Sequence, residues 1–144
     1  MTTPAAPSPP KLTEADVLDQ VLAYLRLRGV DAQRRNTGGM VNARGQYVAF
    51  GQPGDPDIQG VLDDGRAFMC ETKADNWKPR GRKQREHFAR QVARLNRTNE
   101  AGGVGLLIDH PELLIRVWKY VISGATFHVR ECGRMEITPK GGES

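Results

Sequence analysis

Two short apolar segments joined by a tight turn constrain the fold of this chain more than any other feature. The segments are residues 58–62 and 67–73, and Asp63-Asp64-Gly65 lies between them. An Asp-Gly pair between two such segments is a strong β-hairpin signal, because these residues tolerate the positive φ angles that tight turns require. We therefore predict two adjacent antiparallel strands at this point of the chain.

Three helices and several short strands are predicted around the hairpin. Thr13 and Asp16 form a helix-capping pattern before the first helix, the second helix spans about residues 82–97, and the third spans residues 111–121. Further strands are predicted at residues 31–36, 47–50, 104–108, 126–130 and 135–138, and a mobile loop at residues 37–46. Strands placed between helices predict an α/β fold with a mixed β-sheet flanked by helices.

Composition narrows the class of protein further. The chain has 144 residues, of which 38% are apolar and 26% charged, as in a soluble globular domain. Apolar runs are too short to cross a bilayer, and two cysteines with three histidines suggest neither a disulfide framework nor a zinc site. We predict a disordered leader at 1–12, one domain at 13–138 and a flexible tail at 139–144. We expect a cytoplasmic protein, or one of the host-cell cytoplasm if it is viral, with no membrane partner.

Three charged residues at the hairpin carry the predicted chemistry. Glu71 and Lys73 lie two residues apart on a strand and therefore share one face, and pairing across the turn brings Asp57 beside Glu71. Adjacent carboxylates repel unless a cation lies between them, and Mg²⁺ prefers such oxygen ligands. A lysine at this place suits an attacking water or a phosphoryl oxygen. Taken singly, Glu71 and Lys73 also fit an exposed ion pair, and Asp57 fits a turn residue.

Four motifs follow one another along residues 13–108. They are Thr13-Glu14 at a helix start, Arg34-Arg35-Asn36-Thr37-Gly38, Gly54-Asp55-Pro56-Asp57, and Glu71-Thr72-Lys73 followed by Gln84. This ordered set resembles the VRR-NUC (virus-type replication-repair nuclease) branch of the PD-(D/E)xK nuclease superfamily. The resemblance implies a restriction-endonuclease-like core and a Mg²⁺- or Mn²⁺-dependent DNA endonuclease. It further implies structure-specific substrates, such as four-way junctions or flaps, in replication, repair or recombination.

The resemblance also implies a role for each residue of the hairpin motifs. Asp57 and Glu71 become metal ligands, the Thr72 carbonyl becomes a further ligand, and Lys73 becomes the catalytic lysine. The attacking water is then oriented by Lys73.

Two residues on helices complete the implied site. Glu14 corresponds to the family's acid on the first helix, which approaches the metal directly or through water. An acid in a first helical turn is also favoured by the helix dipole. Gln84 corresponds to the family's glutamine on the helix after the core strands, and we assign it to the catalytic group. Because Gln84 lies four residues before Phe88, it is predicted to face inward towards the active site.

Basic residues are concentrated directly after Lys73. Residues 78–97 contain eight Lys and Arg and one acid, Glu86, whereas the net charge of the whole chain is only +4. Since opposite charges are missing, we interpret this segment as a phosphate-binding surface rather than a salt-bridged helix face. The predicted DNA-binding residues are Arg34, Arg35, Lys78, Arg80, Arg82, Lys83 and Arg90. Trp77 is either a stacking platform beside them or a core residue.

Two alternatives remain open at this point. The same fold can serve as a DNA-binding module that does not cleave. The chain can also form a homodimer through its third helix, whose apolar residues either provide an interface or simply cover the sheet. Those residues are Leu113, Leu114, Val117, Trp118 and Val121.

Overall fold

The computed structural model describes residues 10–35, 39–41, 43–49 and 55–141. The described elements are α1 (Glu14–Leu27), β1 (Asp31–Arg34), β2 (Gly39–Val41), β3 (Tyr47–Ala49), β4 (Ile58–Val61), β5 (Ala67–Thr72), α2 (Gly81–Glu100), β6 (Val104–Ile108), α3 (Pro111–Ile122), β7 (Thr126–Val129) and β8 (Met135–Thr138). Most of the predicted leader, residues 36–38 of the second motif, Gly54 and the last residues of the predicted tail lie outside the described residues. Among the described helices, none combines the length and the apolar character that a membrane span requires.

Four strands form the central sheet in the order β1-β4-β5-β6. β4 pairs antiparallel with both β1 and β5, whereas β5 and β6 run parallel. The predicted hairpin is confirmed: Ile58 lies opposite Cys70, and Gly65 adopts a φ of +89° in the turn. The predicted mixed sheet flanked by helices is therefore confirmed as well.

The side chains of β5 divide between two apolar clusters. Phe68 and Cys70 belong to the larger cluster, which includes the inward faces of α1 and α3. Met69 packs on the other side, in a smaller cluster formed by α2, Leu107 and Val129. Two helices thus cover one face of the sheet and α2 covers the other.

Hydrogen bonds from two asparagines fix the position of α2. The Asn99 side chain bonds to both the N–H and the C=O of Gly105, at 2.6 and 3.0 Å. Asn96 does the same with Val129, at 2.8 and 2.7 Å. Gly105 is required here, because a Cβ would collide with the Leu95 carbonyl oxygen. These bonds place the inner face of α2 directly over β5 and β6.

Part of the predicted mobile loop at residues 37–46 is a strand. Residues of β2 pair antiparallel with β3, with Val41 opposite Tyr47. The Gly- and Asn-rich sequence lacks the apolar alternation that predicts a strand. β2 is a strand because its backbone pairs with β3, and no local sequence pattern within β2 predicts this pairing.

Helix α3 covers the sheet, as one of the two interpretations of its apolar face predicts. Leu114, Val117, Trp118 and Val121 are all buried in the larger cluster and are not available to a partner chain. These four residues therefore do not provide a dimer interface, whereas a homodimer through another surface is not tested and stays a prediction.

Candidate metal centre and active site

Three carboxylates meet at one end of the sheet. Glu14 is the first residue of α1, Asp57 directly precedes β4, and Glu71 is near the end of β5. One oxygen from each lies within 4.8 Å of the others. The Asp75 N–H donates to the Leu12 carbonyl at 3.2 Å, and this bond holds the start of α1 beside the end of β5.

Asp57 is oriented by the strand next to it. Both the N–H and the hydroxyl of Thr72 donate to Asp57 Oδ2, at 3.0 and 2.9 Å. The Asp57 carbonyl in turn accepts from the Arg35 N–H at 2.7 Å. Thr72 therefore contributes by positioning Asp57, whereas the ligand role predicted for its carbonyl stays a prediction.

Glu71 is a buried carboxylate with incomplete hydrogen bonding. Its Oε1 accepts from Gln91 Nε2 at 3.0 Å and lies 3.7 Å from Lys73 Nζ. Its Oε2 has no hydrogen-bond partner in the part of the chain that the structure describes. Burial, followed by the negative charge of Asp57, raises the pKa of Glu71 to about 9.

These residues fit a hard divalent cation. The three converging side chains offer carboxylate oxygens, which suit hard cations such as Mg²⁺ or Mn²⁺ better than softer metals. A buried carboxylate oxygen without a donor is rare, and a cation satisfies it while relieving the repulsion from Asp57. The pKa of Glu14 is raised overall. Partial burial is the main cause, and the negative charge of Asp57 adds to it, whereas the positive charge of Lys73 opposes it.

Lys73 is held between the carboxylates and two aromatic rings. Its ammonium lies 4.4 Å from the centroid of the Trp77 ring and 5.9 Å from that of Phe88. The two rings contact each other, with centroids 5.2 Å apart. Cation–π contacts of this kind restrict an otherwise flexible ammonium group. One face of Trp77 therefore supports Lys73, a role that neither of its two predicted interpretations includes.

Comparison with known proteins agrees with the architecture. No protein-family model matches the sequence, and no curated protein matches it either. A solved structure described as a "VRR_NUC domain" is similar to this chain with a TM-score of 0.50 and 17% sequence identity. The similarity covers 74% of this chain and 95% of that one. The chain has the VRR_NUC fold. The fold implied by the sequence resemblance is thus confirmed, and the roles of individual residues rest on their geometry.

Within the VRR_NUC fold, a different glutamine from the predicted one contacts Glu71. The prediction that Gln84 faces inward is wrong: its side chain is exposed and accepts from the Arg80 N–H at 2.7 Å. Gln84 lies in the first turn of α2, where the free N–H groups of the helix end attract its amide oxygen. The catalytic role assigned to it stays a prediction.

Gln91 is the residue that sequence reasoning missed. Its side chain is buried, bonds to Glu71 through Nε2, and leaves Oε1 without a hydrogen-bond partner among the described residues. A signal for it exists in the sequence, because Gln91 lies three residues after Phe88 and four before Leu95. Both spacings place it on the inward stripe of α2, two turns deeper than Gln84.

Two residues of the predicted basic surface are engaged by acidic or polar partners. Arg82 pairs with Glu86 at 2.9 Å, so the prediction of a helix face without ion pairs is wrong at this position. Arg35 is 3.4 Å from Asp55 and bonds to Gln59 at 3.1 Å, which engages part of its guanidinium. The other predicted DNA-binding residues are exposed and have no ion pair among the described residues: Arg34, Lys78, Arg80, Lys83 and Arg90.

Asp55 connects residues of this basic surface to the segment that carries Asp57. Besides its contact with Arg35 of the segment after β1, it lies 3.8 Å from Arg94 of α2. Asp55 is only two residues from Asp57. The ion pairs therefore hold the segment before β4 between β1 and α2, close to the proposed metal ligands.

Proposed function

We propose that this protein is a nuclease that hydrolyses DNA phosphodiester bonds with the help of Mg²⁺ or Mn²⁺. The observation that carries the proposal is the Glu71 carboxylate, which is buried with an unpaired oxygen beside Asp57, Glu14 and the ammonium of Lys73. A purely structural strand has no use for three converging carboxylates and a lysine at such a cost in desolvation.

Each residue of the cluster has a distinct task in this proposal. Asp57 and Glu71 hold the cation, with Glu14 approaching from α1. When bound, a divalent cation supplies positive charge that stabilises the charge developing on the phosphoryl group. Lys73 donates hydrogen bonds to the attacking water or to a phosphoryl oxygen, and Trp77 keeps its ammonium in place. The exposed cations of α2 and the segment before it bind the DNA backbone.

Cleavage assays test the proposal directly. The protein is incubated with linear, nicked, flap and four-way DNA in Mg²⁺, in Mn²⁺ and in EDTA. We expect cleavage only with a divalent cation, and a loss of at least about a hundredfold in rate for Asp57→Ala and Lys73→Ala, because ligand and charge contributions are worth several kcal/mol. The comparison among the four substrates shows which DNA structure is preferred.

Matched variants separate the site from the effect of removing a charge. Asp19→Ala removes an exposed carboxylate of α1, and Lys119→Ala removes an exposed cation of α3. Both are expected to cleave as the wild type does. Metal-dependent cleavage that persists in Asp57→Ala and Lys73→Ala contradicts the assigned site. Binding of all four DNAs without cleavage in either metal favours the non-cleaving DNA-binding module instead.

A further inference from the structure

A cavity of about 640 Å³ includes Lys73, but not Glu71, among its lining residues. Its walls are the Trp77 and Phe88 rings, and Leu107 and Met135 contribute to its apolar lining. The volume is in the range that protein pockets use for small organic ligands. Lys73 lines this cavity and also contacts Glu71, so the cavity is continuous with the proposed active site.

The charged residues of the cavity come mostly from outside the basic segment of α2. Arg116 is on α3, Arg134 is in the turn between β7 and β8, and Lys78 precedes α2. All three are exposed, and none has an ion pair among the described residues. Asp109 is the single carboxylate in the lining, so the cavity is strongly biased towards an anion.

We propose that this cavity binds an unpaired nucleotide of the DNA next to the bond that is cut, which presupposes the proposed nuclease function. The base stacks on the half-buried Trp77 ring, and the flanking phosphates contact Lys78, Arg116 and Arg134. Aromatic rings with neighbouring cations are the usual means of binding single-stranded nucleic acid, since every base has a face that can stack.

Base pairing excludes the alternative that ordinary duplex fills the cavity. In a duplex, each base is stacked and paired inside the helix and reaches a protein cavity only when it leaves the stack, which costs energy. DNA that already contains unpaired nucleotides avoids this cost. The cavity therefore provides the chain with a preference for DNA that carries an unpaired nucleotide next to the bond that is cut over intact duplex.

An exposed thiol in the cavity makes the proposal measurable. Cys132 lines the cavity and is exposed, whereas Cys70 is fully buried, and burial raises its pKa well above the ordinary value. A neutral maleimide is therefore expected to modify Cys132 selectively. Its rate of reaction reports whether the cavity is occupied, and an uncharged reagent avoids simple repulsion by DNA.

The experiment measures this rate for the full chain in EDTA, saturated either with a short oligothymidylate or with a blunt duplex of the same length. We expect the single strand to slow modification of Cys132 by about fivefold or more, as base stacking on an aromatic ring supports, and the duplex to have little effect. The double variant Arg116→Ala/Arg134→Ala is expected to lose the protection. Lys119→Ala, which removes a cation on α3 outside the cavity lining, is expected to keep it.

The outcomes distinguish the cavity from the nuclease. Equal protection by both DNAs, or bound single strand that leaves Cys132 fully reactive, overturns the cavity proposal even when the protein cleaves DNA. A protein that neither binds nor cleaves any DNA overturns the proposed function and the cavity proposal together. If the double variant does not fold, the comparison of single strand with duplex on the wild-type protein decides alone.

Discussion

The two faces of β5 perform opposite tasks. On the face towards α1 and α3, Phe68 and Cys70 are completely buried in apolar surroundings. On the face towards α2, Glu71 and Lys73 are almost as deeply buried, yet the carboxylate of Glu71 retains an oxygen without a hydrogen bond. Apolar burial stabilises a fold, whereas an unpaired buried carboxylate destabilises it. One strand thus connects stabilising apolar packing to a buried group that destabilises the fold, and this is the group proposed to bind metal.

Phe68→Ala tests the stabilising face and has the largest expected effect on folding. Truncating a fully buried phenylalanine removes apolar contacts and leaves a cavity, so we expect a loss of about 3–5 kcal/mol in the free energy of unfolding. Urea denaturation followed by circular dichroism measures the change. Val61→Ala, at a half-exposed position of the neighbouring strand, is the control and should change stability by less than about 0.5 kcal/mol. A comparable loss of unfolding free energy in the two variants contradicts the proposed difference between buried and exposed positions of the sheet.

Glu71→Gln tests the face of β5 that carries the buried carboxyl group, and we expect this substitution to stabilise the metal-free protein. The folded protein holds the Glu71 pKa at about 9 against an ordinary value of 4.5, so it binds more protons than the unfolded chain between these limits. The contribution of Glu71 to the free energy of unfolding is therefore most favourable at low pH, and it becomes destabilising as the pH rises from about 4.5 to about 9. Without metal, we expect the melting temperature of Glu71→Gln to exceed that of the wild type by about 3 °C or more at neutral pH, and the gap to close in acid.

Melting temperatures in EDTA and in Mg²⁺ complete this test. Wild-type protein should be stabilised by Mg²⁺, because a ligand that binds only the folded state raises its stability. Glu71→Gln should lose most of this response. Glu100→Gln, at the exposed end of α2, should behave as the wild type in both conditions. If Glu71→Gln lowers the melting temperature at neutral pH in EDTA, the burial of Glu71 does not destabilise the metal-free protein.

Sequence reasoning succeeded where a local pattern determines the geometry. The Asp-Gly turn sets the register of β4 against β5, and that register places Asp57 beside Glu71. Strand alternation separates Phe68 from Glu71 in the same way. These predictions needed only the period of a strand and the chemistry of a turn.

It failed where the outcome depends on how separate elements pair and pack. β2 exists because β3 pairs with it, and Trp77 supports Lys73 because α2 brings Phe88 against both. The choice between two glutamines on α2 depends on how the helix rests on β6. That position is set by the Asn99 side chain bonding to the backbone of Gly105, a side-chain contact that the periodicity of the helix does not contain.

The two glutamines of α2 provide the most discriminating comparison, with the smallest expected effects. Gln91→Ala removes the amide that bonds to Glu71 Oε1, so the carboxylate loses a fixed orientation. Groups that orient a metal ligand typically contribute about 10–100-fold to metal affinity. We therefore expect the Mg²⁺ concentration that supports half-maximal cleavage to rise about tenfold, while the enzyme saturated with metal retains most of its rate.

Gln84→Ala is the matched control. It loses only a bond to the Arg80 N–H, which costs about 1 kcal/mol of stability, and its Mg²⁺ requirement should not change. Titrating cleavage against Mg²⁺ for both variants separates the two positions. If the half-maximal Mg²⁺ concentration rises more for Gln84→Ala than for Gln91→Ala, the result supports the role that the family resemblance implies for Gln84 and contradicts the positioning role of Gln91.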